Sequence, residues 1–571
     1  MKFFSYNFNA LKNPIYFEGV GVRILIAAMA LGLSCLITSV AFKQNKCYLG
    51  SHTFYGDTSS YYYTNLKAYC SSIGINRFSA ALNEYVSNSR NPLRTIPYIL
   101  FYPDGLLSIN GHLWSAAIML FCFIFMFGLV IYQRTNNTAY SLIAPVIFLA
   151  PVGFFDPCLG FPANYPDFHA ALMVGAALFA LFLSRRGRSA GWLFAFGLFA
   201  GLSTLSRFVA AGFMFFLCAP ILIYYLYVRY RETDSYTKGL ILPLLIIGFP
   251  IGITAGYFLF KSSLRNIYFY QAAGYALGRG IPMAFDNINR YIDVYIGSNI
   301  IIFLLIFFFY FTLNWNKRNN NSDVLLTIWA AIAHLLLFVF VLQVNDDIHT
   351  VHYFLPGFAL LVVAPFSVRK RMFAEPKFNW ISGLAFALII SSSIVAANNF
   401  ILQKYSSVPQ NETRMLSFVR DIGLVTKNAS DKISERLGRA SVFDTFFYEF
   451  GPRVVLESAY QYKTCLNYEQ IFQTHRTGWN LMFPCEEPAR LPSLVYARML
   501  EKLDLVWVLR NPYQSIYKTG RDNISSKNVI SYVNHMINAE PENWQFEYSL
   551  ESPWGTIDLY LNKRKLYEPM K

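Results

Sequence analysis

The stretch GWLFAFGLFAGLSTLSRFVAAGFMFFLCAPILIYYLYV (191–228) decides the fold, because Arg207 is the single charged side chain in its 38 residues. About 20 apolar residues cross the roughly 30 Å hydrocarbon layer of a bilayer as one helix, since lipid offers the backbone no hydrogen-bond partner. The stretch therefore reads as two spans, 191–206 and 208–228, that turn at Arg207. Working outward, further spans are expected at about 22–42, 112–132, 139–155, 168–184, 239–260, 298–314, 324–344, 353–368 and 379–398, eleven in all. The third, fifth and tenth are short and the fifth and sixth are separated only by Arg207, so the count lies between ten and twelve; no clear small-residue cleavage site follows the first, which is expected to be a span and not a removed signal.

Composition agrees. Of 571 residues 55% are hydrophobic and 14% charged, against about 25% charged in soluble domains. The mean hydropathy is +0.34. Aromatic residues make up 18%, which excludes a disordered chain and suits lipid-facing helices and interfacial belts.

The net charge of +15 raises the question of an acidic partner such as nucleic acid, and its distribution answers it. Residues 1–398 hold 27 Lys and Arg against 14 Asp and Glu, so nearly all of the excess belongs to the hydrophobic part. With the N-terminus inside, every short inner loop is basic: Arg134; Arg185, Arg186 and Arg188; Arg229, Arg231 and Lys238; Lys317 and Arg318; Arg369, Lys370, Arg371 and Lys377. This is the positive-inside pattern, a topology signal and not a nucleic-acid surface. An odd span count places residues 400–571 outside. That tail is nearly neutral, long enough for its own core, and mixes helical patterns with strand-like runs at RVVLES (453–458), DLVWVLR (504–510) and GTIDLYLNKR (555–564). The expected fold is a polytopic α-helical membrane protein, residues 1–399 with a first outer loop at about 43–111, followed by an extracytoplasmic α/β or α+β domain at 400–571. Cys47 with Cys70, and Cys465 with Cys485, share outer segments where disulfides form. Cys35, Cys122 and Cys218 lie in spans as small packing residues.

Nine of the 14 acidic residues in the membrane part fall on the outer side by this topology, with 11 Lys and Arg beside them. An outward polar cavity of mixed charge is the simplest account. Early in the first outer loop stands FYGDTSSYYY (54–63), where Asp57 suits either a general base near the membrane surface or an Asx turn capping Ser59 and Ser60. In SRNPLRTIPYILFYP (89–103), Arg90 and Arg94 suit a phosphate or snorkelling to headgroups. Asp167, after Pro166, opens the fourth span and complements its dipole. Arg207 must reach water or an anion, so it is a phosphate candidate with snorkelling as its competitor. Gly278 and Gly280 flank Arg279 and allow close backbone approach to an anion. In NDDIHTVHYFLPGFALLV (345–362), Asp346, Asp347 and His349 suit a hard divalent cation or a solvated loop, and His334 inside the ninth span reads as a hydrogen-bonded packing residue.

In their order along the chain, Asp57, the RNPLRTIPYILFYP stretch, Asp167, the GLFAGLSTLSRF hairpin (197–208) and HYFLPGFALL (352–361) resemble the GT-C superfamily of integral-membrane glycosyltransferases. The branch is the one that includes protein O-mannosyltransferases and lipid A aminoarabinose transferases. The resemblance implies a polyprenyl-phosphate-linked sugar as donor and a hydroxyl acceptor outside, on a glycolipid, glycan or protein. Membrane lipids surround the chain, and nucleic acid is no partner. It implies Asp57 as catalytic base, Asp167 as second acidic site residue, and Arg90, Arg94, Arg207 and Arg279 as donor-phosphate ligands. Relatives carry an Arg-Tyr pair where this chain has His352 and Tyr353, so His352 takes the phosphate-facing place. A divalent metal ion is the one candidate cofactor, with Glu84, Asp346, Asp347 and His349 as its candidate ligands; Glu84 is equally an acceptor contact. The expected localisation is the plasma (inner) membrane, multi-pass, with the C-terminal domain periplasmic or extracellular. A transporter or lipid flippase would need charged or broken helices at mid-membrane, and the span interiors carry almost none. An O-antigen polymerase or ligase would favour a large outer loop in mid-chain, whereas here the large outer segment is terminal.

Overall fold

The computed structural model describes residues 14–51, 76, 78–82, 109–149, 166–207, 209–260, 322–336, 353, 355–357, 359–360, 363, 421, 424–425, 428–429, 442–444, 505–510, 534–552 and 555–564. The chain forms two compact units, Met1–Gln44 with Tyr85–Pro97 and Leu113–Tyr405, and Asn45–Glu84 with Tyr98–His112 and Ser406–Lys571.

The first unit is helical. Helix α1 (Pro14–Ser51) buries Ile26, Ala30, Leu33, Ile37 and Ala41, spaced three or four apart, yet leaves Ile24, Leu25, Leu31 and Leu36 exposed. A helix that is apolar on its exposed faces too is built for hydrocarbon and not for water. Helix α2 (Ile109–Thr135) ends where Asn136 turns left-handed (φ 52°), and the Asn137 side chain then accepts from the Tyr140 N–H to cap α3 (Thr138–Ile143). A continuous span over 139–155 is expected from the sequence. The described part is instead α3 followed by a 3₁₀ turn at Ala144–Leu149, because Pro145 has no N–H for the carbonyl of Ser141.

Helix α4 (Pro166–Leu183) is buried on every side from Asp167 onward, the mark of an all-apolar helix at the centre of a bundle. A tight turn follows, in which Arg185, Arg186 and Gly187 are all left-handed and the Gly187 N–H donates to Ser184 Oγ at 3.0 Å. Helix α5 (Ala190–Ser206) returns alongside α4. After it come α6 (Val209–Phe213), a π turn (Met214–Cys218), α7 (Ala219–Thr233), a second π turn (Thr237–Ile241) and α8 (Leu242–Phe260). Gly197 and Gly201 let α5 lie directly on α8: a Cβ on Gly201 would stand 1.8 Å from Thr254 Oγ1, and one on Gly197 2.3 Å from the Ile247 carbonyl. Small residues four apart are how lipid-embedded helices approach closely enough for dispersion to hold them. At the far end Arg229 donates to the carbonyls of Gly187 and Lys238, tying the α4–α5 turn to the second π turn, which leads into α8. Helix α9 (Ser322–Leu336) buries Thr327, Ala330, Ala331 and His334 on one stripe and packs on the first π turn.

Among the described residues four helical segments are long and apolar enough to cross a membrane: Gly19–Ala41, Ala116–Thr135, Ala210–Thr233 and Thr237–Thr254. Shorter apolar helices cover Asp167–Leu183, Ala190–Ser206 and Leu325–His334. The chain is a mostly helical membrane protein.

In the second unit the described strands form one sheet, ordered β1 (Val442–Asp444), β2 (Leu505–Leu509), β4 (Gly555–Asn562) and β3 (Trp544–Ser552). The β1–β2 pair is parallel and the others antiparallel, with Val506 opposite Tyr560 and Val508 opposite Asp558. Strands β2 and β4 fall on DLVWVLR and GTIDLYLNKR, while RVVLES lies outside the described residues. Val506, Val508 and Trp544 form a core with Ile537. Asp558 is buried and satisfied by Ser549 Oγ at 2.6 Å and by an ion pair with Arg510, whose guanidinium the Tyr560 hydroxyl also helps to hold charged.

Candidate functional site

The open end of the α4–α5 hairpin brings together two side chains that are 40 positions apart. Pro166 starts α4, and Asp167 sits in its first turn, where unsatisfied N–H groups and the positive end of the helix favour a carboxylate. Asp167 is only 1% exposed, a depth at which an unpaired carboxylate is strongly disfavoured. Its partner comes from the end of α5. Arg207 leaves the helix with extended backbone (φ −157°, ψ 130°) while its N–H still donates to the Ser203 carbonyl, so the side chain departs at the negative end of α5. Its Nε donates to Asp167 Oδ1 at 3.0 Å. The Arg207 side chain is 21% exposed, so the guanidinium stands between the buried carboxylate and open space. Each charge also complements the helix end that carries it.

A second layer adjoins this pair. Phe213, the last residue of α6, stacks in parallel on Tyr353, with centroids 4.6 Å apart and 4° between the planes. The His334 ring lies 5.0 Å from Phe213, and its Nε2 is bonded to the Tyr353 carbonyl oxygen. Tyr353 stands within Coulombic reach of both Asp167 and Arg207. Its hydroxyl is fully buried and, among the described residues, has no hydrogen-bond partner; the same is true of His334 Nδ1. A buried hydroxyl left unpaired costs about 1–3 kcal/mol, so this ring is held in place by its packing and not by its polar tip.

Of the residues singled out from the sequence, the structure thus joins Asp167 to Arg207. Asp57, Glu84, Arg90, Arg94, Arg279, Asp346, Asp347, His349 and His352 lie outside the described residues. Among the described residues no three His, Cys, Asp or Glu side chains gather as metal ligands. Cys35, Cys122 and Cys218 are free thiols, and the side chains of the Cys47–Cys70 and Cys465–Cys485 pairs lie outside the described residues. The sequence reading did not foresee the contact of Phe213, His334 and Tyr353. The signal in the sequence is a histidine inside an apolar span, with Ala330 and Ala331 one turn before it on the same stripe.

No protein-family model matches the sequence, and no curated protein matches it. Among solved structures the chain is similar to ArnT from Cupriavidus metallidurans bound to undecaprenyl phosphate, with a TM-score of 0.49 and 12% identity over 94% of this chain and 99% of that one. It is likewise similar to ArnT from Cupriavidus metallidurans in the apo state, with a TM-score of 0.47, 12% identity and the same coverage.

Proposed function

We propose that this chain is a glycosyltransferase that moves a sugar from a polyprenyl-phosphate donor to a hydroxyl acceptor at the outer face of the plasma (inner) membrane. In this reading it has eleven spans and an extracytoplasmic domain at 400–571. The observation that carries it is the Asp167–Arg207 pair: a guanidinium fixed by a buried carboxylate and still partly open suits a phosphate bound at the edge of a helical bundle. The order of sequence motifs around that pair supports the same class.

The chemistry follows from the groups named. Asp57 takes the proton of the acceptor hydroxyl, and the oxygen attacks the anomeric carbon from the face opposite the phosphate. The bond from that carbon to the phosphate oxygen breaks with its electron pair, and the polyprenyl phosphate leaves. Displacement in this sense inverts the anomeric centre. Arg207, oriented by Asp167, meets the charge developing on the leaving phosphate, with Arg90, Arg94, Arg279 and His352 as further donor-phosphate ligands. Preorganised cations act where charge grows in the transition state. Glu84, Asp346, Asp347 and His349 stand as candidate ligands of a divalent ion, and no step here runs through one.

The test compares lipids and glycoconjugates by mass spectrometry in cells with the wild-type chain, the Asp57→Asn variant or no chain. One sugar missing from a defined acceptor is expected in the last two, with Asp57→Asn present at wild-type level in the membrane; a general base contributes about 10²–10⁴ in rate. Full activity of Asp57→Asn removes Asp57 from the mechanism. A lipid accumulating on the inner face, with no glycoconjugate missing a sugar, overturns the class in favour of a flippase.

A further inference from the structure

We propose that His334 is a positioning residue, which fixes the Tyr353 ring beside the Asp167–Arg207 pair by bonding the Tyr353 carbonyl while wedged between Phe213 and Gly357. The inference rests on the proposed function only for what the site holds; the placement of the ring stands apart from it.

His334 is 2% exposed in an apolar helix, where a polar side chain persists only if it makes a bond that no apolar residue replaces. That bond runs to a main-chain carbonyl, which only accepts, so Nε2 carries a proton, and His334 acts on the backbone that carries Tyr353 and not on the phenol. Two neighbours confine the imidazole. Phe213 covers one face, and the same Phe213 ring stacks on Tyr353, so imidazole and phenol share one neighbour. On another side Gly357 leaves no space: a Cβ there would stand 2.3 Å from His334 Cδ2. Since the Tyr353 hydroxyl has no partner of its own among the described residues, the ring's position depends on this carbonyl bond and on the Phe213 stack.

The test places 3-fluorotyrosine at position 353 of the full-length chain in detergent and follows its fluorine resonance, which the current of the stacked Phe213 ring makes sensitive to small displacements. His334→Met removes the donor at similar volume and is expected to shift or broaden the resonance. His334→Gln, whose amide N–H reaches the same carbonyl, is expected to restore it. Gly357→Ala, which drives the imidazole off its seat, is expected to reproduce the His334→Met spectrum. Affinity for undecaprenyl phosphate, measured on the same samples by native mass spectrometry, is expected to fall about tenfold in His334→Met and to return in His334→Gln. An unchanged resonance in His334→Met, or in Gly357→Ala if the first variant does not fold, overturns the inference. A wild-type chain that does not bind undecaprenyl phosphate counts against the proposed function, while the fluorine spectra still decide the placement.

Discussion

At one end of the α4–α5 hairpin Arg207 donates to a carboxylate that is 1% exposed; at the other, Arg188 donates to Glu232 with 59% and 35% of the two side chains exposed. The chemistry is the same and the surroundings are opposite. In water an Arg–Glu pair replaces two well-solvated ions with one contact and contributes about 0–1 kcal/mol. Out of water the pair first has to offset a desolvation penalty of several kcal/mol per ion, so a buried ion pair is weak evidence for stability. The exposed end is held instead by main-chain geometry: the left-handed turn through Arg185, Arg186 and Gly187, and the two carbonyl bonds of Arg229. A fold that needed only stability at the buried end would do as well with apolar residues there. Asp167 and Arg207 at that end are therefore not accounted for by stability alone, and on the proposed function they serve binding, a difference that can be broken experimentally.

The largest effect is expected from Arg207→Ala. It removes the Arg207 partner of a carboxylate that is out of water, and breaking a buried pair costs about 3–5 kcal/mol, here about 3 because one-fifth of Arg207 is already exposed. Thermal unfolding in detergent should show a clear loss, and on the proposed function any binding of undecaprenyl phosphate should become undetectable by native mass spectrometry. The paired variant Asp167→Asn with Arg207→Gln separates the two consequences. It removes both charges of the pair together, so unfolding should return toward wild type while binding stays lost. Wild-type binding by that paired variant makes the buried pair structural, and the contrast between the two ends of the hairpin disappears.

A smaller effect follows from glycines at the two ends of α5. Gly201→Ala puts a methyl group where Thr254 Oγ1 stands, and such overpacking costs about 1–3 kcal/mol. Gly191→Ala meets nothing within 4 Å, and replacing a glycine in the first turn of a helix gains at most about 0.5 kcal/mol, the low end for helix interiors. The first substitution is expected to lower the unfolding temperature and to weaken lipid-phosphate binding, since it separates α5 from α8 close to Arg207. The second is expected to raise the unfolding temperature slightly and leave binding alone. Equal effects of the two would show that the hairpin does not transmit packing to its buried end.

The residues show why some of this was legible in the sequence and some was not. A window of 20 apolar residues declares a span without reference to any neighbour, so the helices at 22–42, 112–132 and 208–228 could be read directly. Arg207 marked the break between α5 and α6 because it was the single charge for 38 residues. Pro166 and Asp167 likewise announced the start of α4 locally. Pairing is another matter: Asp167 meets Arg207 only because α4 and α5 run antiparallel with matched lengths, and His334 meets Tyr353 only because α9 lies on the π turn that follows Phe213. Neither depends on a local pattern. Within the span expected over 139–155, the change from α-helix to 3₁₀ geometry at Ala144 has a local reason that hydropathy does not register, the missing donor of Pro145.

The smallest effect is expected at the exposed pair, and its smallness is what completes the contrast. Arg188→Ala and Glu232→Ala each remove a contact between side chains that water already solvates, so each should change unfolding by no more than about 1 kcal/mol. Whatever effect exists should shrink between low and high salt, because at about 1 M ionic strength the Debye length falls to roughly 3 Å and an exposed pair is screened. The Asp167–Arg207 pair, with its carboxylate out of water, should keep its contribution over the same salt range. The decisive measurement is therefore the unfolding temperature of wild type, Arg188→Ala and Arg207→Ala in detergent at low and at high salt. A salt-independent Arg207→Ala loss beside a small, salt-sensitive Arg188→Ala loss fits the contrast. Equal salt sensitivity at both positions would mean that water reaches Asp167 as freely as it reaches Glu232, and a site built on a buried carboxylate would have to be given up.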